Sequence, residues 1–147
     1  MTDVLTDVKK SLMVHIKDRL PSKELEGGRI FTIADADCYI DPPKGEYNRP
    51  CVYLTFVQRR DRSLLSGTQH FDYMFTVTYE DLLDEEVLRS HLDGLFRRNE
   101  PLEFWYFDDE DDQTTTGDTM LVRTWTITEN KTDREKNRLK GELTLTF

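Results

Sequence analysis

Three histidines, two cysteines and a dense run of carboxylates are the residues of this 147-residue sequence best suited to chemistry. Histidine serves as a metal ligand or a general base. A zinc site needs several ligands at short spacings. His15, His70 and His91 instead fall on three separate predicted elements. His15 and His91 sit beside the apolar stripes of predicted helices, where a hydrogen-bonded structural histidine is the expected role. No GxSxG, CxxC, HExxH or glycine-rich phosphate loop occurs. Ser11, Ser22, Ser63, Ser66 and Ser90 have no neighbours that mark a nucleophile. The expectation is a protein with no catalytic residue, no cofactor and no metal, and so not an enzyme.

The carboxylates are more distinctive. Between Glu103 and Asp118 lie seven acids and no base, and the rest of the chain holds 22 acids against 20 bases. Most of the formal charge of −9 is therefore local. Asp108, Asp109, Glu110, Asp111 and Asp112 form its centre. A calcium loop of the EF-hand type needs Gly at position six and Glu at position twelve. Counted from Asp108, those places hold Gln113 and Thr119. Three readings remain: a weak cation site, a solvated mobile loop of mutually repelling charges, and an acidic lining that repels other anions. Arg59, Arg60 and Arg62 form the opposite feature, a small basic cluster. It reads as a solvated turn, or as a subunit interface, because arginine suits ion pairs between chains. Cys38 and Cys51 read as reduced, buried thiols, since nothing at the N-terminus resembles a signal peptide.

The elements that must position these residues follow from periodicity. Val4, Val8, Leu12, Ile16 and Leu20 recur every four residues, which predicts a helix over Asp3–Leu20 ended by Pro21. Lys23–Gly28 reads as a linker. Arg29–Ile40 reads as one bent strand or two short ones. Asp41–Arg49 holds two prolines and a glycine and cannot be regular. Cys51–Gln58 is apolar on both faces, which places it centrally in a sheet, and Arg59–Gly67 reads as a polar connector. Thr68–Tyr79 alternates clearly, with Phe71, Tyr73, Phe75, Val77 and Tyr79 on one face. A second helix is expected over Asp84–Arg98, with Val87, Leu88, His91, Leu92, Leu95 and Phe96 as its buried stripe. Leu102–Phe107, Thr119–Glu129 and Leu139–Phe147 complete the strands, with a charged connector over Asn130–Arg138. The expected fold class is α+β: a single domain over residues 1–147, mostly antiparallel, with two helices on one face in the order α-β-β-β-α-β-β-β.

Composition sets the outer limits. Charged residues make up 33% and hydrophobic ones 37%, so much of the surface stays polar. A domain of this length buries roughly 68–70% of its unfolded surface and needs no staples. No run approaches the ~18 apolar residues of a membrane span, so no membrane contact is expected. A chain this acidic is short of the Lys and Arg that neutralise phosphates, so non-specific nucleic-acid binding is disfavoured.

The succession of a helix ending in Leu20-Pro21, a strand introduced by Arg49-Pro50-Cys51-Val52-Tyr53-Leu54, a polar arginine turn, a long strand through Phe71, Tyr73, Phe75 and Val77 running into an acid-capped helix, and a β-rich C-terminus resembles the tail terminator proteins of bacteriophages and related contractile particles. The resemblance implies a virion tail protein assembled in the host cytoplasm. It implies a hexameric ring that caps the tail tube, stops its polymerisation and joins the head-tail connector. In contractile relatives the ring also meets the last sheath ring. DNA would pass through without specific binding, and an acidic loop turned inward would place about 30 carboxylates round the channel. Two alternatives stand beside this reading. One is another head-tail joining protein, such as a tail-completion or stopper protein. The other is a small acidic protein-binding or inhibitor module that uses Asp108–Asp118 against a basic partner.

Overall fold

The computed structural model describes residues 4–20, 23–25, 29–31, 38–47, 51–63, 69–81, 89, 92–128 and 137–147. Among these residues there are one long helix, α1 (Val4–Arg19), and eight strands. These are β1 (Lys23–Leu25), β2 (Arg29–Phe31), β3 (Cys38–Tyr39), β4 (Cys51–Ser63), β5 (Gln69–Asp81), β6 (Pro101–Phe107), β7 (Gln113–Thr128) and β8 (Asn137–Thr146). β1 and β2 pair as a separate two-stranded ribbon, β1 lying within what reads from sequence as a linker and β2 at the start of the expected Arg29–Ile40 strand. The other six form one sheet in the order β3-β4-β5-β8-β7-β6.

The expected fold class needs correction on two points. The sheet is mixed, because β3 runs parallel to β4, with Cys38 opposite Val52 and Tyr39 opposite Tyr53. Between them the chain makes an excursion through Pro42, Pro43 and Gly45 (φ +76°) and re-enters the sheet in the same direction. A proline-rich excursion of this kind lacks the tight turn that would fold β4 back antiparallel. The second helix is not an element of the described structure. Residues 84–88, 90 and 91 of the predicted Asp84–Arg98 span lie outside the described residues. Arg89, Leu92 and Asp93 are helical, and the chain then turns at Gly94 and Leu95. Gly94 is a poor helix former, and the Leu95 amide bonds the Leu92 carbonyl, a tightened i−3 contact. This turn still buries Leu92, Leu95 and Phe96, so the apolar pattern is satisfied without the helix reaching Arg98.

Two strand limits also differ, and both matter for function. β4 runs on through Arg59, Arg60 and Arg62 to Ser63, paired with β5 as far as Ser63–Gln69. The arginine cluster is therefore part of a strand. β7 begins at Gln113, so the acidic loop shrinks to a five-residue hairpin tip, Asp108–Asp112. β4 is also less central than its sequence suggests. Cys51, Val52, Tyr53 and Leu54 are buried, but beyond Tyr53 the strand pairs only with β5 among the described residues.

One side of the sheet packs on α1 through Val8, Leu12 and Ile16, all fully buried, against Tyr73, Phe75, Val77, Phe104, Val122, Leu143 and Leu145. α1 touches both β6 and β3, the two outermost strands, so the sheet curls and the helix closes the gap between its ends. Trp125 is the largest side chain wedged over this face. Its ring covers Gly141, and a methyl group there would overlap the indole. The indole N–H donates to the Leu92 carbonyl (3.0 Å) and Phe96 meets the ring edge-on at 5.3 Å. Gly141→Ala is expected to destabilise the fold by about 1–3 kcal/mol through overpacking, read as a shift of the urea midpoint with an unchanged slope.

Candidate functional site: an open sheet edge and an acidic hairpin tip

A curled but unclosed sheet has two edges, each with unpaired N–H and C=O groups. In this chain the two are treated differently. The β6 edge is sealed by a polar row of α1. Residues four apart on a helix advance about 6 Å, and residues two apart on a strand advance about 6.6–6.8 Å. The two repeats nearly match, so Asp7, Ser11 and His15 meet Phe107, Trp105 and Glu103 in turn. The Phe107 amide donates to Asp7 Oδ1 (3.2 Å). The Trp105 amide donates to Ser11 Oγ (3.0 Å), and the same hydroxyl donates back to the Trp105 carbonyl (3.2 Å). His15 Nε2 donates to the Glu103 carbonyl (2.9 Å), its ring stacked on Trp105 at 5.0 Å. Arg19, one step further along the row, donates to the Leu95 carbonyl and grips the Glu100 carboxylate with two bonds (2.6 and 3.1 Å). Burial would raise the Glu100 carboxyl, but Arg19, with Arg97 behind it, outweighs burial and holds it below its usual range. These bonds explain why Asp7 and Ser11, both polar, are almost fully buried.

Among the described residues the β4 edge has no such cover. From Leu54 to Ser63 its outer side meets no strand among the described residues. A bulge at Val57 breaks the register between Phe56 and Gln58 and leaves Val57 56% exposed. The extra residue also reverses which side chains face which side. Arg59 now lies opposite Tyr73 and stacks on Phe71 at 4.7 Å, whereas Arg60 lies opposite Asp72 and Arg62 opposite His70, on the other face. Arg59 and Arg60 are both exposed. The edge therefore presents an exposed apolar residue followed by Arg59, Arg60 and the exposed Asp61.

The acidic tip is built rather than loose. Asp108 Oδ1 accepts from the amides of Glu110 and Asp112 (2.9 Å each). The backbone closes with Asp111 N–H to Asp108 C=O and Asp108 N–H to Asp112 C=O, and Asp111 adopts φ +60°. Lys10 pairs with Asp111. Asp109, Glu110 and Asp112 have no ion pair among the described residues. No group of three or more His, Cys, Asp or Glu among the described residues is placed to hold a metal ion. Asp108 in particular is spent on its own loop. No ion pair joins the tip to Arg59 or Arg60 among the described residues. β4 is next to one outer strand of the sheet, and the tip joins the last two strands at the other end. Where β8 ends, at Phe147 against Phe71, a cleft of about 700 Å³ separates β5 from β7, with Arg59 and His70 on one wall and Asp118 and Arg123 on the other.

One cluster could not be foreseen from sequence. Cys51, Glu80 and Arg138 lie side by side across β4, β5 and β8, on the face away from α1. Glu80 is fully buried. It accepts from the Cys51 thiol (3.5 Å) and from Tyr47, and faces Arg138 Nε at 3.6 Å. The bond to Glu80, then burial and the carboxylate's charge, push the Tyr47 hydroxyl up to about 12. Burial likewise raises Tyr53, opposed by Arg138. A carboxylate closed off from solvent meets no substrate, so this cluster tethers the Tyr47 loop to the sheet. The register also decides the cysteines: Cys38 shares Val52's face, Cys51 the opposite one, and both are free thiols. No known protein family matches the chain, and no curated protein sequence matches it.

Ser11→Ala removes the acceptor and the donor used by Trp105 and is expected to cost about 1–3 kcal/mol, measured by urea denaturation. The Tyr47–Glu80 bond predicts a pH dependence. The folded phenol keeps its proton up to about 12, against 10.0 for the ordinary group. Its contribution is therefore intact below pH 10 and is lost as pH rises from 10 towards 12. Tyr47→Phe is expected to flatten that part of the stability curve relative to the unsubstituted chain.

Proposed function

We propose that this chain is a structural assembly protein of the tail-terminator kind, which forms a hexameric ring, caps a tail tube, stops its polymerisation and presents a surface to the head-tail connector. The observation that carries this reading is the asymmetry of the two sheet edges. α1 devotes a full row of side chains to sealing β6, while the outer side of β4 beyond Tyr53 meets no strand among the described residues. An edge of that kind invites another chain, and a ring subunit needs such a surface. The acidic tip agrees with a channel for DNA, because clustered carboxylates repel phosphates. A sheath ring is a further partner if the particle is contractile.

The ordered tip with its unneutralised Asp109, Glu110 and Asp112 also favours a second reading, a small acidic module that binds a basic protein. Electron microscopy of particles assembled without this chain separates these readings. Tails of uncontrolled length are the expected result. Tails of normal length that fail to join heads would make it another head-tail joining protein. Unaltered particles would remove the tail reading and leave the binding module.

A further inference from the structure

We infer that the groove between α1, the loop after β3 and the acidic hairpin tip docks a basic segment of a partner protein, one that carries an apolar residue among its lysines or arginines. Both readings above require a partner protein. The inference rests on that shared requirement and goes further, naming the surface and the partner's chemistry. Lys10, Met13, Val14 and Lys17 are spaced to share one face of α1, and they line a cleft of about 580 Å³. Ile40 and the Pro42–Pro43 pair line it from the loop after β3, and Phe107 and Asp111 from the hairpin. Met13 and Phe107 are nearly fully buried, while Val14, Ile40 and Pro43 are half-buried. A concave site of this size, with apolar walls and a few charged groups, is built to take apolar side chains in a fixed orientation.

The charges round the groove decide the sign of the occupant. Lys9 pairs with Asp41, and Lys10 pairs with Asp111 while lying over the Phe107 ring. In both pairs the ammonium is the sheltered partner: the lysine side chains are 14% and 22% exposed, the aspartates 62% and 74%. Solvent therefore meets carboxylates. A carboxylate has about four acceptor sites, so one lysine leaves each aspartate able to accept from a second cation. Asp109, Glu110 and Asp112, all exposed, extend the acidic rim along the tip. The opposing charge is Lys17, which is exposed. It lies seven residues past Lys10, about 10.5 Å along the helix. A basic segment is thus attracted at the Asp41–Asp111 end and repelled at the Lys17 end, which fixes its direction, with its apolar residue against Met13, Val14 and Ile40. An acidic segment, or a nucleic acid, has the wrong sign for the Asp41–Asp111 end.

The probe is a fluorescently labelled peptide, Lys-Lys-Leu-Phe-Lys-Lys, titrated with the full chain and read by anisotropy. It should bind, and less tightly as salt is raised. Peptides with serine in place of Leu and Phe, or with glutamate in place of the lysines, should each bind about tenfold more weakly or worse. Asp41→Asn/Asp111→Asn and Val14→Lys should each weaken binding of the first peptide by about tenfold. Asparagine tolerates the positive φ of Asp111, so the near-isosteric pair carries the test even where Val14→Lys fails to fold, as circular dichroism would reveal. Charge-matched changes at exposed residues elsewhere, Asp93→Asn/Glu142→Gln and Thr124→Lys, should leave binding within about twofold. Groove and control variants that weaken binding alike would overturn the groove and leave only the general pull of an acidic surface, with the binding-module reading standing. A chain that binds none of the peptides would overturn the groove and the binding module together, and leave the ring reading standing.

Discussion

The hydrogen bonds between one row of α1 and the backbone of β6 are the constraint on which the rest of the architecture depends. A sheet edge left in solvent keeps its groups hydrated but exposes a template for pairing with other chains. A sheet edge buried under a helix loses that hydration and must find new partners. Here the partners are Asp7, Ser11 and His15, spaced so that each reaches alternate residues of β6. The adjacent row, Val8, Leu12 and Ile16, fills the core. Helix rotation and helix height are therefore set together: a shift that kept the apolar row buried but moved the polar row by one step would strand buried N–H groups. With α1 fixed against β6, Lys9 can pair with Asp41 in the loop after β3 (2.7 Å), and the two ends of the sheet are held across one helix.

The two edges are thus treated differently: one is used up internally, and the other, among the described residues, is covered at its start, where β3 pairs with Val52 and Tyr53. The bulge at Val57 and the arginines after it are devices that discourage indiscriminate pairing at an edge. The Cys51–Glu80–Arg138 row lies across β4, β5 and β8 where β4 enters the sheet.

Much of the core was legible from periodicity. The four-residue repeat of α1 and the alternation through Phe71, Tyr73, Phe75 and Val77 both describe residues that are buried or partly buried together. The polar row was present in the same sequence, since Asp7, Ser11, His15 and Arg19 share the four-residue spacing, but a hydropathy pattern ranks such residues as solvent-facing. The arginine-bearing half of β4 looked like a connector because an exposed edge strand needs no alternation, and the bulge broke what alternation there was. The expected helix to Arg98 stopped early because Gly94 permits a turn that buries Leu95 and Phe96 anyway. Glu80 was invisible: nothing local separates it from a solvated acid, and only the cross-strand register brings it beside Cys51 and Arg138.

The most direct test of the claim that one edge is sealed and the other kept for a partner is amide hydrogen exchange, resolved by residue, as protein concentration is raised. The amides of Trp105 and Phe107 should be protected at every concentration, because α1 accepts from them within the chain. The outward-facing amides of β4 beyond Tyr53 should exchange freely in dilute protein and become protected as copies associate. Outer β4 amides whose protection does not change with concentration, or Trp105 and Phe107 amides that exchange like solvent-exposed ones, would contradict the account.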